Sequence, residues 1–145
     1  MAISFSFIDT KTIPLKKKEI KSWIKNVIEQ RGGKLGDISY IFCNDEYILN
    51  VNKEYLNHDY YTDIITFDYT EKDFSSDKIK ISGDLFISLD TVESNSEELG
   101  LDFNQELHRV IIHGVLHLLG LKDKTDKEAK EMRKAEEECL KSMML

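Results

Sequence analysis

Cysteine is scarce in this chain of 145 residues, where Cys43 and Cys139 are the only two. They build no disulfide framework, and their spacing matches no zinc ribbon or redox pair, so a reducing, cytoplasmic setting is expected. Proline occurs once and glycine seven times, with no repeat or low-complexity tract, which excludes collagen-like, mucin-like and wholly disordered chains. No apolar run approaches the ~20 residues that a membrane helix requires. Residues 1–8 alternate Ile3, Phe5 and Phe7 with Ala2, Ser4 and Ser6, which reads as a strand and not as an export leader. Positive charge is also short, with 20 Lys and Arg against 27 Asp and Glu and a net charge of −7. That balance excludes a protein that coats nucleic acid by overall charge, although a local basic patch remains open.

What is present is the composition of a folded chain, 41% apolar and 32% charged. The length suffices to bury roughly 70% of the surface of the unfolded chain, so residues 1–145 are read as a single domain. Ile20, Trp23, Ile24, Val27 and Ile28 recur at helical spacing, and Gly32 and Gly33 supply a stop. The opposite face of that helix is basic. Residues 11–34 carry eight Lys and Arg against two Glu, and Lys17, Lys21 and Lys25 are candidate phosphate contacts beside the plainer reading of a solvated face. Ile38, Tyr40 and Phe42 mark a second strand, after which Asn44 caps a short helix carrying Ile48, Val51 and Tyr55. Residues 64–67 form a third strand and residues 78–88 a fourth, kinked or interrupted at Gly83, with a charged loop over residues 69–77. Helices interleaved with a small sheet make an α/β (α+β) chain.

Chemistry concentrates in one further helix. Asp102 and Gln105 form a capping-box pattern at its start, and Gly120 is placed as a left-handed residue at its end. His113 and His117 lie four residues apart, about one turn and ~6 Å of rise, so both imidazoles leave the same side and can share one cation. A chain turned back at Gly120 brings Asp123 to the same point. Two imidazoles and a carboxylate suit a zinc ion with a fourth position open for water, the arrangement of metal-assisted hydrolysis. The alternative is two histidines satisfied within a core, since Val110, Ile111, Ile112, Val115, Leu116, Leu118 and Leu119 surround them. Glu106 shares the azimuth of His113 and is read as a solvated first-turn residue, ahead of an outer-shell carboxylate. His108 is read as exposed and not a ligand, and His58 as a loop residue without a partner. In zinc proteases of the His-Glu-x-x-His pattern, the Glu beside the first His is the general base. Gly114 stands there in this chain, which disfavours a peptidase.

The segment His113-Gly-Val-Leu-His117-Leu-Leu-Gly120 resembles the YbeY family of metal-dependent endoribonucleases, also called ribosomal RNA maturation factors. Thr62-Asp-Ile-Ile-Thr-Phe67 and Gly83-Asp84-Leu-Phe-Ile87 resemble two strands of the same family, in the same order. The resemblance implies a mixed sheet of about four strands with the metal helix at its centre. It also implies processing of ribosomal RNA at the 3′ end of the small-subunit RNA. Two positions depart from the family pattern. Asp123 stands where the family has a third His, next to Lys122, and Leu56 stands where it has an arginine beside the cleft. Arg109, where many relatives have His, is a weak candidate to replace that arginine.

Two functional readings follow. In the first, one zinc ion on His113, His117 and Asp123 serves a single-strand endoribonuclease acting in 16S rRNA maturation and ribosome quality control. In the second, the zinc is mainly structural, and the chain is a non-catalytic ribosome-assembly factor that binds RNA.

Overall fold

The computed structural model describes residues 2–57, 62–72 and 77–143. In chain order the elements are β1 (Ile3–Phe7), α1 (Lys17–Gln30), β2 (Gly33–Cys43), α2 (Asp45–Leu56), β3 (Ile64–Asp68), β4 (Glu71–Lys72), β5 (Ile79–Ser88), α3 (Leu89–Leu99), α4 (Phe103–Leu118) and α5 (Asp126–Met143). The sheet runs in the order β1-β2-β5-β3, and the short β4 also pairs with β5. β1 and β2 are parallel, as are β2 and β5, whereas β3 and β4 run antiparallel to β5. This is the mixed α+β sheet expected, with four main strands and a two-residue addition. The loop expected over residues 69–77 contains that addition, because Glu71 and Lys72 register against Lys80 and Ile79.

Alternation along the strands divides the apolar residues between the two faces. Ile38, Tyr40, Phe42, Ile81, Leu85 and Ile87 form one core with the stripe of α1 and with α4. Cys43 and Ile65 face the other way and are covered by Ile48 and Val51 of α2. The Asn44 side chain accepts from the Tyr47 N–H and so starts α2. Tyr55 does not join the apolar stripe of α2 as expected. It is 67% exposed, with an edge-on ring contact to Phe67, and Asn52 is the buried residue of that turn. Among the described residues, no helix is long and apolar enough to cross a membrane.

The fourth strand is not broken at Gly83. β5 continues through it, and the irregularity belongs to the register with β2, between Leu35 and Ile38. Gly83 is there because two elements come close. A Cβ would lie 2.6 Å from the Phe67 carbonyl oxygen and 2.9 Å from Leu118 Cδ2. Gly114 plays the same part from the helix side, where a Cβ would meet Ile64 Cδ1 at 2.9 Å and Leu85 Cδ2 at 3.0 Å. These two glycines set the distance between α4 and the sheet.

Gly83→Ala should therefore destabilise the fold by about 1–3 kcal/mol, since an overpacking strain against main chain exceeds the 0.4–1 kcal/mol gained by stiffening the unfolded chain. Denaturant unfolding checks this; a variant as stable as the native chain would show that the contact relaxes freely.

Candidate metal centre

α4 begins on Asp102, and the reciprocal bonds of a capping box with Gln105 are both formed. It ends in a Schellman turn. The Leu121 N–H donates to the Leu116 carbonyl at 3.0 Å and the Gly120 N–H to the His117 carbonyl at 2.9 Å, with Gly120 at φ 103°, a conformation glycine adopts without strain. This turn also serves the chemistry. It places the Leu121 carbonyl 3.0 Å from His117 Nδ1, and it swings the chain back so that Asp123 meets both imidazoles.

Asp123 Oδ2 lies 3.3 Å from His113 Nε2 and 3.4 Å from His117 Nε2. The ligand atoms of the three residues all lie within 4.8 Å of one another. Zinc bonds of 2.0–2.2 Å in a tetrahedron separate neighbouring ligand atoms by roughly 3.3–3.6 Å. The donor set and its spacing therefore fit a zinc ion. The imidazoles are partly covered, with side-chain exposures of 16% for His113 and 29% for His117, while Asp123 is at 39%. They open into a cleft of about 540 Å³ that is also lined by Asn52, Leu56, Asp63, Thr66 and Asp68.

Behind His113 stands a group of charges that the sequence reading did not assemble. Glu136 Oε2 of α5 lies 2.5 Å from His113 Nδ1. Its other oxygen accepts from Arg109 Nη1 at 3.2 Å, and Arg109 Nε donates to Glu106 Oε1 at 2.8 Å. Burial pushes the Glu136 carboxyl up, but the His113 bond and the Arg109 charge outweigh it and hold it below the usual carboxylate range. Hydrogen bonding to Glu106 raises the proton affinity of Arg109, whose charge is secure. A signal for Glu136 did exist in the sequence, because Met132, Ala135, Glu136 and Cys139 are the buried residues of α5 and follow helical spacing. A carboxylate on an apolar stripe needs a partner.

Several expectations are corrected here. Glu106 is not solvated; it is fully buried, because the azimuth it shares with His113 faces α5 and the interior. His108 is half-buried and not exposed. Its ring lies edge-on to Trp23, with centroids 5.9 Å apart, and its Nδ1 meets the Asn104 carbonyl. Arg109 does not stand in for an arginine at the cleft, since its guanidinium is committed to Glu106 and Glu136. Leu56 lines the cleft where the resemblance would put that arginine. Lys17, Lys21 and Lys25 are exposed on α1, and none of them lines the cleft. His58 lies outside the described residues.

The comparisons with known proteins agree with this geometry. The family model described as endoribonuclease YbeY matches residues 6–144. The chain belongs to the YbeY family. It is 56% identical over 140 residues to the endoribonuclease YbeY of Parabacteroides distasonis, covering 97% of this chain and 94% of the relative. The corresponding protein of Bacteroides thetaiotaomicron is 52% identical over 140 residues, covering 97% and 98%. The solution structure of TM1509 from Thermotoga maritima has the same fold, with a TM-score of 0.65 at 23% identity, covering 98% of this chain and 89% of that one. Like its YbeY relatives in name, then, the chain is to be read as an enzyme of RNA, and its cleft is the place to seek the chemistry.

Asp63 lines the cleft and was not singled out from the sequence. Burial raises its proton affinity, partly offset by Arg109 and His113 and reinforced by Glu106. A carboxyl whose folded pKa exceeds its unfolded value favours folding below the unfolded value, near 3.8, and that contribution is lost as pH rises through the folded value. Asp63→Asn should accordingly stabilise the metal-free protein at pH 7 and confer no advantage near pH 3.8. Melting curves across that range check the sign; a variant less stable than native at pH 7 would refute it.

Proposed function

We propose that this chain is a zinc-dependent endoribonuclease that cuts single-stranded RNA, acting in the cytoplasm on the 3′ end of the small-subunit ribosomal RNA. The observation that carries the reading is the triad of His113, His117 and Asp123, with Asp123 Oδ2 at 3.3 and 3.4 Å from the two Nε2 atoms and all three ligand atoms within 4.8 Å of one another on the wall of an open cleft. A zinc ion bound there supplies an acidified water and a Lewis acid for the phosphoryl oxygen. The residues of the chain do the remainder. The Leu121 carbonyl and Glu136 hold the Nδ1 side of each imidazole, which leaves Nε2 for the ion. The cleft walls of Ile64, Ile65, Thr66 and Leu56 take an unpaired strand edgewise, and nothing in the described residues forms a module for reading a duplex.

The peptidase reading loses further ground. Position 114 is packed so closely that even a Cβ would lie 2.9 Å from Ile64 Cδ1 and 3.0 Å from Leu85 Cδ2, so the place of a zinc-protease general base has no room for a glutamate side chain. The assembly-factor reading keeps one observation in its favour. Among the described residues lining the cleft are Asp63, Asp68 and Asp123 but no Lys or Arg, a poor lining for a polyanion unless the cation is in place.

The deciding measurement is cleavage of labelled single-stranded ribosomal RNA by zinc-loaded protein, beside a chelated sample and a His117→Ala variant purified in the same way. Cleavage lost in both controls is the expected result. Equal cleavage in all three would be contamination, and none in any, with zinc confirmed bound, would favour the assembly factor. A Leu56→Arg variant should bind the same RNA more tightly, with a salt dependence steeper by about one counterion; an unchanged salt slope would remove the cleft wall from the RNA path.

A further inference from the structure

We infer that Glu136 is the positioning residue of this centre: braced by Arg109 and Glu106, it fixes the His113 proton on Nδ1, turns Nε2 to the cation and ties α5 to the metal helix. The inference rests on the reading of His113, His117 and Asp123 as a metal site. A neutral imidazole carries its proton on either nitrogen, and the acceptor beside one of them selects the tautomer. Glu136 Oε2, at 2.5 Å from Nδ1, is that acceptor for His113. The Leu121 carbonyl does the same for His117.

The bracing explains why so much charge is buried. Glu106 and Glu136 are 0% and 2% exposed, and the Arg109 fork joins them through three nitrogens. A buried ion triad of this kind contributes little stability beyond what apolar residues of equal volume would give. Its orienting effect is the return. With Asp123, the group sets three carboxylates against the Arg109 guanidinium and the exposed Arg133, whose Nε lies 4.0 Å from Glu136 Oε1, an excess of negative charge that a divalent cation offsets and a packed core would not want. The same bond reaches the C-terminal helix. Cys139, one turn beyond Glu136, accepts through its carbonyl from Trp23 Nε1 at 2.8 Å. Trp23 is the sole tryptophan, so its fluorescence reports how α5 is seated.

The test measures zinc affinity by competition with a chromophoric chelator in the native chain, Glu136→Gln, Glu136→Leu and Glu137→Gln, the last on the exposed side of the same helix. Circular dichroism and Trp23 emission verify that each is folded with α5 in place. Glu137→Gln should match native. Glu136→Gln, whose amide oxygen still accepts from Nδ1, should lose roughly 10-fold, and Glu136→Leu roughly 100-fold. Leucine preserves volume and apolar contact, so native affinity in folded Glu136→Leu would mean that the residue only packs, and would overturn the inference. Should that variant fail to fold, Glu136→Gln decides, and affinity within twofold of native overturns it equally. A native chain that binds no zinc sinks the metal reading and this inference together, whereas native binding with unaffected Glu136 variants sinks this inference alone. RNA cleavage enters neither outcome.

Discussion

Helix α4 is buried on nearly every side, and the rest of the structure depends on how the few polar groups it carries are satisfied there. Leu107, Val110, Ile111, Ile112, Val115 and Leu116 are fully covered, packed between the sheet and the helices α1, α3 and α5. An apolar setting makes an unpaired polar group expensive. Among the described residues every buried side-chain nitrogen and oxygen has a partner. Tyr40 reaches across from β2 to donate to the Ile111 carbonyl at 3.0 Å, Arg109 binds Glu106, and each imidazole is engaged at Nδ1. Around His113 and His117 the helix opens to the cleft on the side where the two Nε2 atoms emerge. A rigid, dry support behind and an open cleft in front is what a metal centre requires of its scaffold.

Close approach is the second condition. Gly83 and Gly114 let the helix sit on the strands nearer than any side chain would permit, and that brings His113 and His117 level with the edge strand β3. Leu56, Asp63, Thr66 and Asp68 thereby share one cleft with the histidines, although they are spread over two further elements and the segment between them. The lining is acidic, as is the chain as a whole. Among the described residues lining the cleft there is no Lys or Arg, and the exposed Lys122 and Lys124 flank Asp123 in the chain.

Much of this was legible in the residues. Helical spacing in α1, alternation in β1 and β2, the capping box at Asp102 and the glycine stop at Gly120 are local signals, each governed by contacts within a few residues. The histidine pair belongs with them, because four residues on a helix have only one geometry. Asp123 was within reach because the turn is local as well. Three of the misreadings have a common cause. Glu106, His108 and Gly83 were judged from their own neighbours, and in each case a distant element decides the outcome: α5 covers Glu106, Trp23 of α1 meets His108, and Phe67 with Leu118 crowds Gly83. The basic face of α1 was seen as a face, and Lys17, Lys21 and Lys25 are exposed on it away from the cleft lining, since periodicity says which residues share a side and not what that side confronts.

The sequence by itself determined the family and the clustering of His113, His117 and Asp123 as a group that could hold a metal ion, because both are written in spacings short enough to be held by one helix and one turn. Only the tertiary structure decided what surrounds that triad. Glu136, 23 residues beyond His113, and Asp63, on the far side of the cleft, acquire their parts when α5 and β3 pack against α4. Burial then turns ordinary surface chemistry into a braced carboxylate and a carboxyl with raised proton affinity. Arg109 shows the difference most directly. As a letter in the sequence it is a phosphate ligand in search of a phosphate, and in the folded chain its guanidinium lies between two buried glutamates, where the low local dielectric makes that bond stronger than any it could form at the surface.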